Sequence, residues 1–272
     1  MKAIRLWLAW LVLLCAGPAL ALEVGGATGR YSHDALHIDV SHAIALMQDN
    51  TEGQLDHGPQ MRVLLSDRVV PIEALYGIAF PPVRAMARQG ALRGLLLEFD
   101  PADRKSLRIT ILSKPDDPAE FAPSLSLSDS DGLWRRLTVD STHVEGDFQS
   151  SDNPGLAFSF NAPVSTDPVV ADLKGAGAQS SEQVRVLTAR ARALGRGDLP
   201  AALALTSHQA APDLQAIPPA ELKQLSAPMG ELVKALGGVK RVVVRTRSAV
   251  AIMPDGGFSS LVLEEGGWKV AD

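Results

Sequence analysis

The chain has 272 residues, 46% of them hydrophobic and 21% charged, with a formal net charge of −5. At roughly 100 to 150 residues per domain this length suits one large or two medium domains, and the composition excludes a disordered or fibrous polymer. The acidic balance, with no dense Lys/Arg block, argues against nucleic acid and anionic membrane surfaces as partners, because both select for clustered cations.

The first 21 residues read as a cleavable secretory leader. Lys2 and Arg5 give a positive start, Leu6 to Leu14 form a short apolar run, and Ala19-Leu20-Ala21 is the small-x-small pattern cut before Leu22. The run is too short for a membrane span of about 20 residues. Cys15 ends it, but Leu14 stands where a lipoprotein signal carries a small residue, which argues against lipidation. Cleavage removes Lys2, Arg5 and the single cysteine, so −5 becomes −7. A disulfide, a thiolate metal site and a thiol nucleophile are thereby excluded from the mature chain. With no later apolar stretch of spanning length, the expected product is a soluble periplasmic or secreted protein without a transmembrane segment.

Residues 22–164 are dominated by period-2 alternation and predict a mostly β domain. Leu36, Ile38 and Val40 oppose His37 and Asp39; Leu95, Leu97 and Phe99 oppose Glu98 and Asp100. Leu107, Ile109 and Ile111 oppose Arg108 and Thr110, and Leu156, Phe158 and Phe160 oppose Ser159 and Asn161. Such strands form an antiparallel sheet or sandwich with a solvated face. One helical insertion is predicted between Pro71 and Gly90, broken at Pro81-Pro82. Residues 165–180 are rich in Pro, Gly, Ala and Ser and read as a linker, with Gly175-Ala176-Gly177 a spacer.

Residues 181–272 change from helical to strand periodicity. Ser180 and Gln183 are spaced as a capping box, with Val184, Leu187, Ala191 and Leu194 following at helical spacing and Gly195 as the stop. Asp198 caps a second helix that carries Pro200 in its first turn. A third segment places Leu222, Leu225, Met229, Leu232, Val233 and Leu236 on one face, kinked at Pro228. Strands follow at about 239–247, 249–253 and 258–263 with a short fourth at 268–270, and Asp255-Gly256 and Gly266-Gly267 are hairpin signals. The helix-turn-helix text from Val184 to Leu205 and the closing Trp268-Lys269-Val270 resemble the NTF2-like, cone-shaped α+β superfamily. The resemblance implies three helices on a curved antiparallel sheet, hence an α+β protein overall, with a pocket or an association surface inside the cone. Some members of that superfamily move protons with an Asp base and an oxyanion-binding Tyr. Here both tyrosines, Tyr31 and Tyr76, precede the second domain, which argues against that chemistry.

Four groupings remain as candidate chemistry. His33, His37 and Asp39 share a parity if one strand runs through them, but residues four apart on a strand lie about 13 Å apart, too far for one ion to be held by both histidines, which leaves His37 and Asp39 at i, i+2 against a solvated strand face. Glu98 and Asp100 have the spacing of an acid/base pair, against which stands a wet strand face. Asp129-Ser130-Asp131-Gly132 resembles part of a calcium loop but has Leu127 and Thr138 where oxygen ligands belong, so a polar turn is expected and no metal. Lys240, Arg241, Arg245 and Arg247 form the one basic cluster, and Arg245, Arg247 and Trp268 are the ligand-binding candidates for an anionic or apolar small molecule. No nucleophile elbow, metalloprotease helix or phosphate loop is present in the text, and no cofactor is expected. The resulting expectation is an exported, non-catalytic interaction module with an envelope protein partner. The alternative is a small-ligand-binding protein using the C-terminal cone, and the third reading is a hydrolase or isomerase.

Overall fold

A computed structural model describes residues 22–50, 58–77, 82–103, 105–115, 122–128 and 134–271. Residues 1–21, read above as a leader with Cys15, together with His57 and residues 129–132, read above as a polar turn, lie outside the described residues. The N-terminal region forms β1 Gly26–His33, β2 Leu36–Asn50, β3 Gly58–Ser66, β4 Gly94–Phe99 and β5 Ser106–Leu112. It continues with β6 Ser124–Ser128, β7 Arg136–Val139, β8 His143–Gln149 and β9 Leu156–Thr166. These make one nine-stranded sheet in the order β6-β5-β4-β3-β2-β1-β9-β8-β7, antiparallel except where β9 also runs beside the end of β2. Four of these nine strands, β2, β4, β5 and β9, fall where alternation placed them, and the overall class is mixed α+β as expected.

The inner face carries the larger core. Met61, Leu97 and Ile109 from one end of the sheet share a single buried cluster with Val144, Phe158 and Phe160 from the other, so the sheet curls around its own apolar side. Phe148 stacks on Phe158 at 4.9 Å, and Trp134 meets Phe148, Phe158 and Phe160 edge-on, a geometry the ring quadrupoles favour. Gly146 makes room for this packing, because a Cβ there would lie 2.4 Å from the Phe160 ring.

The outer face was expected to be wet, and over β2 to β5 it is not. Leu46, Leu64, Leu96 and Leu112 on that face are fully buried. The cover is a short 3-10 turn, Ile72–Leu75, and α1, Pro82–Arg88, contributing Leu75 and Val83, together with Val262 and Ala271 from the end of the chain. Sealing a leucine from water is worth roughly 1.5 to 3 kcal/mol, so strands with apolar residues of both parities gain from a second layer. All six residues of β4 are buried. Pro82 opens α1, where its missing N–H costs nothing.

The C-terminal region contains β10 Val169–Lys174, α2 Ala176–Gln179, α3 Glu182–Gly195, α4 Leu199–Leu203, α5 Ala211–Gln215, α6 Pro219–Gln224 and α7 Ser226–Leu236. Four strands finish it: β11 Arg241–Arg245, β12 Ser248–Ile252, β13 Phe258–Glu264 and β14 Gly267–Val270. They form an antiparallel sheet in the order β10-β11-β12-β13-β14. Val184, Leu187 and Leu236 from α3 and α7 pack on Val242, Ala249, Leu261 and Val270.

Several local expectations need correction. The segment 165–180 is regular structure: β9 runs to Thr166, β10 joins the edge of the second sheet, and α2 follows. Its Val169, Ala171 and Leu173 are too few and too short a run to stand out from the flanking Pro and Gly. The cap of α3 is Ser181, whose hydroxyl accepts from the Val184 N–H at 3.3 Å, one residue later than the spacing suggested. The helical segment breaks at Leu225, and Pro228 sits within the first turn of α7, where an N–H has no intrahelical partner to lose. Asp198 caps α4 as expected, accepting from the Ala201 N–H at 3.1 Å.

Candidate functional site

The first sheet turns a row of polar side chains toward the second. On the outer face Arg62 of β3 stands opposite Glu98 of β4 in register, with Gln48 of β2 beside them, and all three are buried. The Arg62 Nε donates to Glu98 Oε1 at 3.2 Å; its Nη1 donates to Gln48 Oε1 at 3.2 Å, to the Leu75 carbonyl at 3.2 Å and to the Gly77 carbonyl. Arg84 of α1 approaches the other Glu98 oxygen at 3.9 Å. Burial pulls the Arg62 guanidinium down from arginine's ordinary value and Glu98 opposes this, but an arginine starts so high that it stays charged. A buried cation of this kind is tolerated only when its donors are matched, and here one arginine ties two strands to the backbone of the insertion.

Gln48 passes the network to the second sheet. Its Nε2 donates to Asp167 Oδ2 at 3.4 Å, and Ser248 of β12 donates to the same oxygen at 2.5 Å. The Arg247 backbone N–H donates to Asp167 Oδ1 at 2.7 Å. Asp167, the residue after β9, thus pins the β11–β12 turn against the first sheet with both oxygens. Gln89 adds a rim contact, donating to Asp213 of α5 at 3.1 Å.

Above this seam opens a cleft of about 610 Å³. The insertion supplies Glu73 and Tyr76; the second region supplies His208 and Gln209, Arg247, and residues 262–265 of β13 and its following turn. The turns after β11 and after β13 lie at the same end of the second sheet, which is why Arg247 and Glu265 share one cavity. Tyr76 is only 6% exposed, and burial first, then the nearby Asp167 and Glu73 charges, push its phenol above its ordinary value, so it is a neutral hydroxyl at pH 7. Glu264 is held: one of its oxygens accepts the His208 backbone N–H at 3.0 Å and lies 2.7 Å from His208 Nδ1.

The structure does not bring the three ligand candidates together. Arg247 is exposed and lines the cleft. Arg245 is buried at 1% exposure on the opposite face of β11 from Val242 and Val244, close enough to Arg62 for the two charges to act on each other. Trp268 packs into the helix-covered core on the other face of that sheet. The rest of the basic cluster is committed locally: Arg241 donates to Asp172 at 2.7 Å and Lys240 to the Pro254 carbonyl at 2.5 Å.

The remaining candidates disperse as well. A turn at Asp34 and Ala35 ends β1, so His33 and His37 belong to different strands, and His37 meets the Ser32 hydroxyl at 2.7 Å. No group of three metal-ligating side chains occurs among the described residues. Glu98 is sealed in the Arg62 pair while Asp100 accepts the Ala102 N–H at 2.7 Å in the next turn, so the two carboxylates face different surroundings. Tyr76 was set aside because it precedes the second region by about a hundred residues, and nothing in the sequence marks that the insertion carrying it packs against that region. No helix among the described residues is long and apolar enough to cross a membrane.

The fold and cleft define a mixed α+β protein of two packed sheets with a ligand-sized cavity at their seam. Compared with protein-family models, curated proteins and solved structures, the chain matches none.

Proposed function

We propose that this protein is exported and acts by binding, holding a small molecule in the seam cleft between the two sheets. The observation that carries this reading is the cleft itself: about 610 Å³, assembled from both regions, with a buried tyrosine and charges of both signs on its walls. Small-molecule sites commonly measure roughly 300 to 1,000 Å³ and sit where two layers meet. The buried carboxylates nearest the seam are already engaged, Glu98 by Arg62 and Asp167 by three donors, so neither is free to act as a base. A general base needs a lone pair aimed at substrate. The leader at residues 1–21 supports export, and α3 and α7 lying on one face of an antiparallel sheet support an NTF2-like reading of the C-terminal region. On this reading the ligand sits at the end of that sheet, not within the cone.

Native mass spectrometry of the protein purified from its own cells tests this. The expected spectrum shows a retained small mass that is lost in Tyr76→Phe and Arg247→Ala. Apo protein in every preparation would count against a bound ligand.

A further inference from the structure

We propose that Asn161 is the docking site for the chain's own mature amino terminus, its carboxamide holding Leu22 both by the carbonyl and by the ammonium that cleavage before Leu22 creates. The inference rests on the export part of the reading above and is independent of the seam cleft.

The first described residues fold back over the sheet. The Gly26 N–H donates to the Glu23 carbonyl at 2.9 Å, closing a turn in which Gly25 takes a φ of 86°, a conformation that suits glycine. The Gly25 N–H donates to the Asn161 carbonyl at 2.8 Å and its own carbonyl accepts the Ala43 N–H at 2.9 Å, so the turn is fastened to β9 and β2. A Cβ on Gly26 would lie 2.9 Å from the Glu23 carbonyl oxygen, and the missing side chain is what lets the segment cross there. Gly26 pairs with Asn161 in register, and Asn161 pairs with Glu145 of β8, so the three share one face of the sheet. The crossing segment therefore arrives on the face that carries the Asn161 side chain.

On that face only one end of the Asn161 amide is engaged. Its Nδ2 donates to the Leu22 carbonyl at 3.0 Å, which fixes the orientation of the group. Its Oδ1 is buried and has no hydrogen-bond partner among the described residues. A buried acceptor in that state costs free energy that a donor would recover. Oδ1 shares a carbon with the nitrogen that meets Leu22, and the Leu22 nitrogen is three bonds from the carbonyl oxygen that is met. Glu145, directly across the strand pair and 3.5 Å from Arg136, adds a carboxylate that favours an ammonium over a neutral amide. Hydrolysis of the Ala21–Leu22 bond by a signal peptidase consumes one water: its oxygen stays on the leader as a carboxylate, and both its protons go to the Leu22 nitrogen, giving an ammonium with three donors. Before the cut that nitrogen has one N–H, whose direction is set by the residue ahead of it. Processing thus completes the Asn161 contact.

NMR titration of the α-amino group in the mature protein beginning at Leu22 tests the assignment. An ordinary α-amino group titrates at about 7.7 to 8.0. Docking is expected to raise its proton affinity about tenfold, or one pKa unit, a gain that Asn161→Leu should abolish and Glu145→Gln should reduce. Urea unfolding gives a second readout: two extra residues, Gly-Ser, placed before Leu22 should lower the denaturant midpoint of the native chain and leave that of Asn161→Leu unchanged. An amine of ordinary affinity in the folded mature chain, or an extension that destabilises Asn161→Leu as much as the native chain, would overturn the inference and leave the export reading standing. Amino-terminal sequencing of the protein from its own cells is expected to begin at Leu22. A start at another residue beyond the leader would overturn the docking alone, and a start at Met1 would overturn the export reading with it.

Discussion

The residue that does most to join the two regions is Arg62. It is fully buried, it answers Glu98 across the strand pair, and it closes the backbone of the insertion through the Leu75 and Gly77 carbonyls. Removing one partner of a buried pair leaves the other charge desolvated, which costs roughly 3 to 5 kcal/mol, well above the ~1 kcal/mol typical of an exposed pair. Arg62→Ala is therefore expected to lower stability by about 3 to 5 kcal/mol in urea unfolding, and a loss under about 1 kcal/mol would show that the pair is not buried as described. In the sequence Arg62 stands in a run, Met61 to Leu65, with apolar residues of both parities that was not among the predicted strands, and its partner Glu98 was placed on a strand face taken to be wet. What hid it was the assumption that the polar parity faces water: periodicity reports which residues share a face, and it is silent on whether another layer covers that face.

Regular elements were legible wherever their own pattern sufficed. The alternation at Leu95 to Phe99 and Leu107 to Ile111 became β4 and β5, and the four closing strands fall within two residues of their expected bounds. Glycine turns held too: Gly256 and Gly266 take positive φ of 88° and 92°, where a side chain would be strained. The edge strand β10 was hidden because it owes its conformation to its neighbour. Asp172 of β10 is bound by Arg241 of β11 at 2.7 Å, and that hydrogen bond, with the Arg241 and Lys174 charges, holds its carboxyl below the ordinary aspartate range against a smaller opposing effect of burial. Hydrogen bonds from Thr142 and the His143 N–H lower the Asp140 carboxyl in the same direction. A carboxyl that is harder to protonate in the folded state than in the unfolded one stabilises fully above its unfolded value, about 3.9, and loses that contribution as pH falls through its lowered folded value. Stability measured by urea titration should therefore decline on the acid side below about pH 4. Asp172→Asn should lower stability at pH 7 and leave a shallower acid limb. An unchanged limb in the variant would mean that the Arg241 contact is not maintained in solution.

At the scale of the whole molecule, the cleft exists only because two sheets of different origin in the chain pack together. Val262 and Ala271 complete the core that covers Leu46, Leu64 and Leu96, and Asp167 ties the β11–β12 turn to Gln48. Of the three ligand candidates, Arg247 lies in this cavity, while Arg245 went to the seam interior and Trp268 to the helix-covered core. Nothing local in the text distinguishes the three; their fates were decided by strand parity and by which face meets the other sheet. The same packing brings Tyr76 from the first region to a wall of the second, a juxtaposition no reading by segment would find. Amide NMR of the protein purified from its own cells, compared before and after denaturing removal of any retained small molecule and refolding, tests this account most directly. The predicted result is a set of perturbed amides around residues 73–77, 208–209, 246–248 and 262–265. Perturbations confined to α3, α7 and the sheet face they cover would place the ligand in the cone and contradict it.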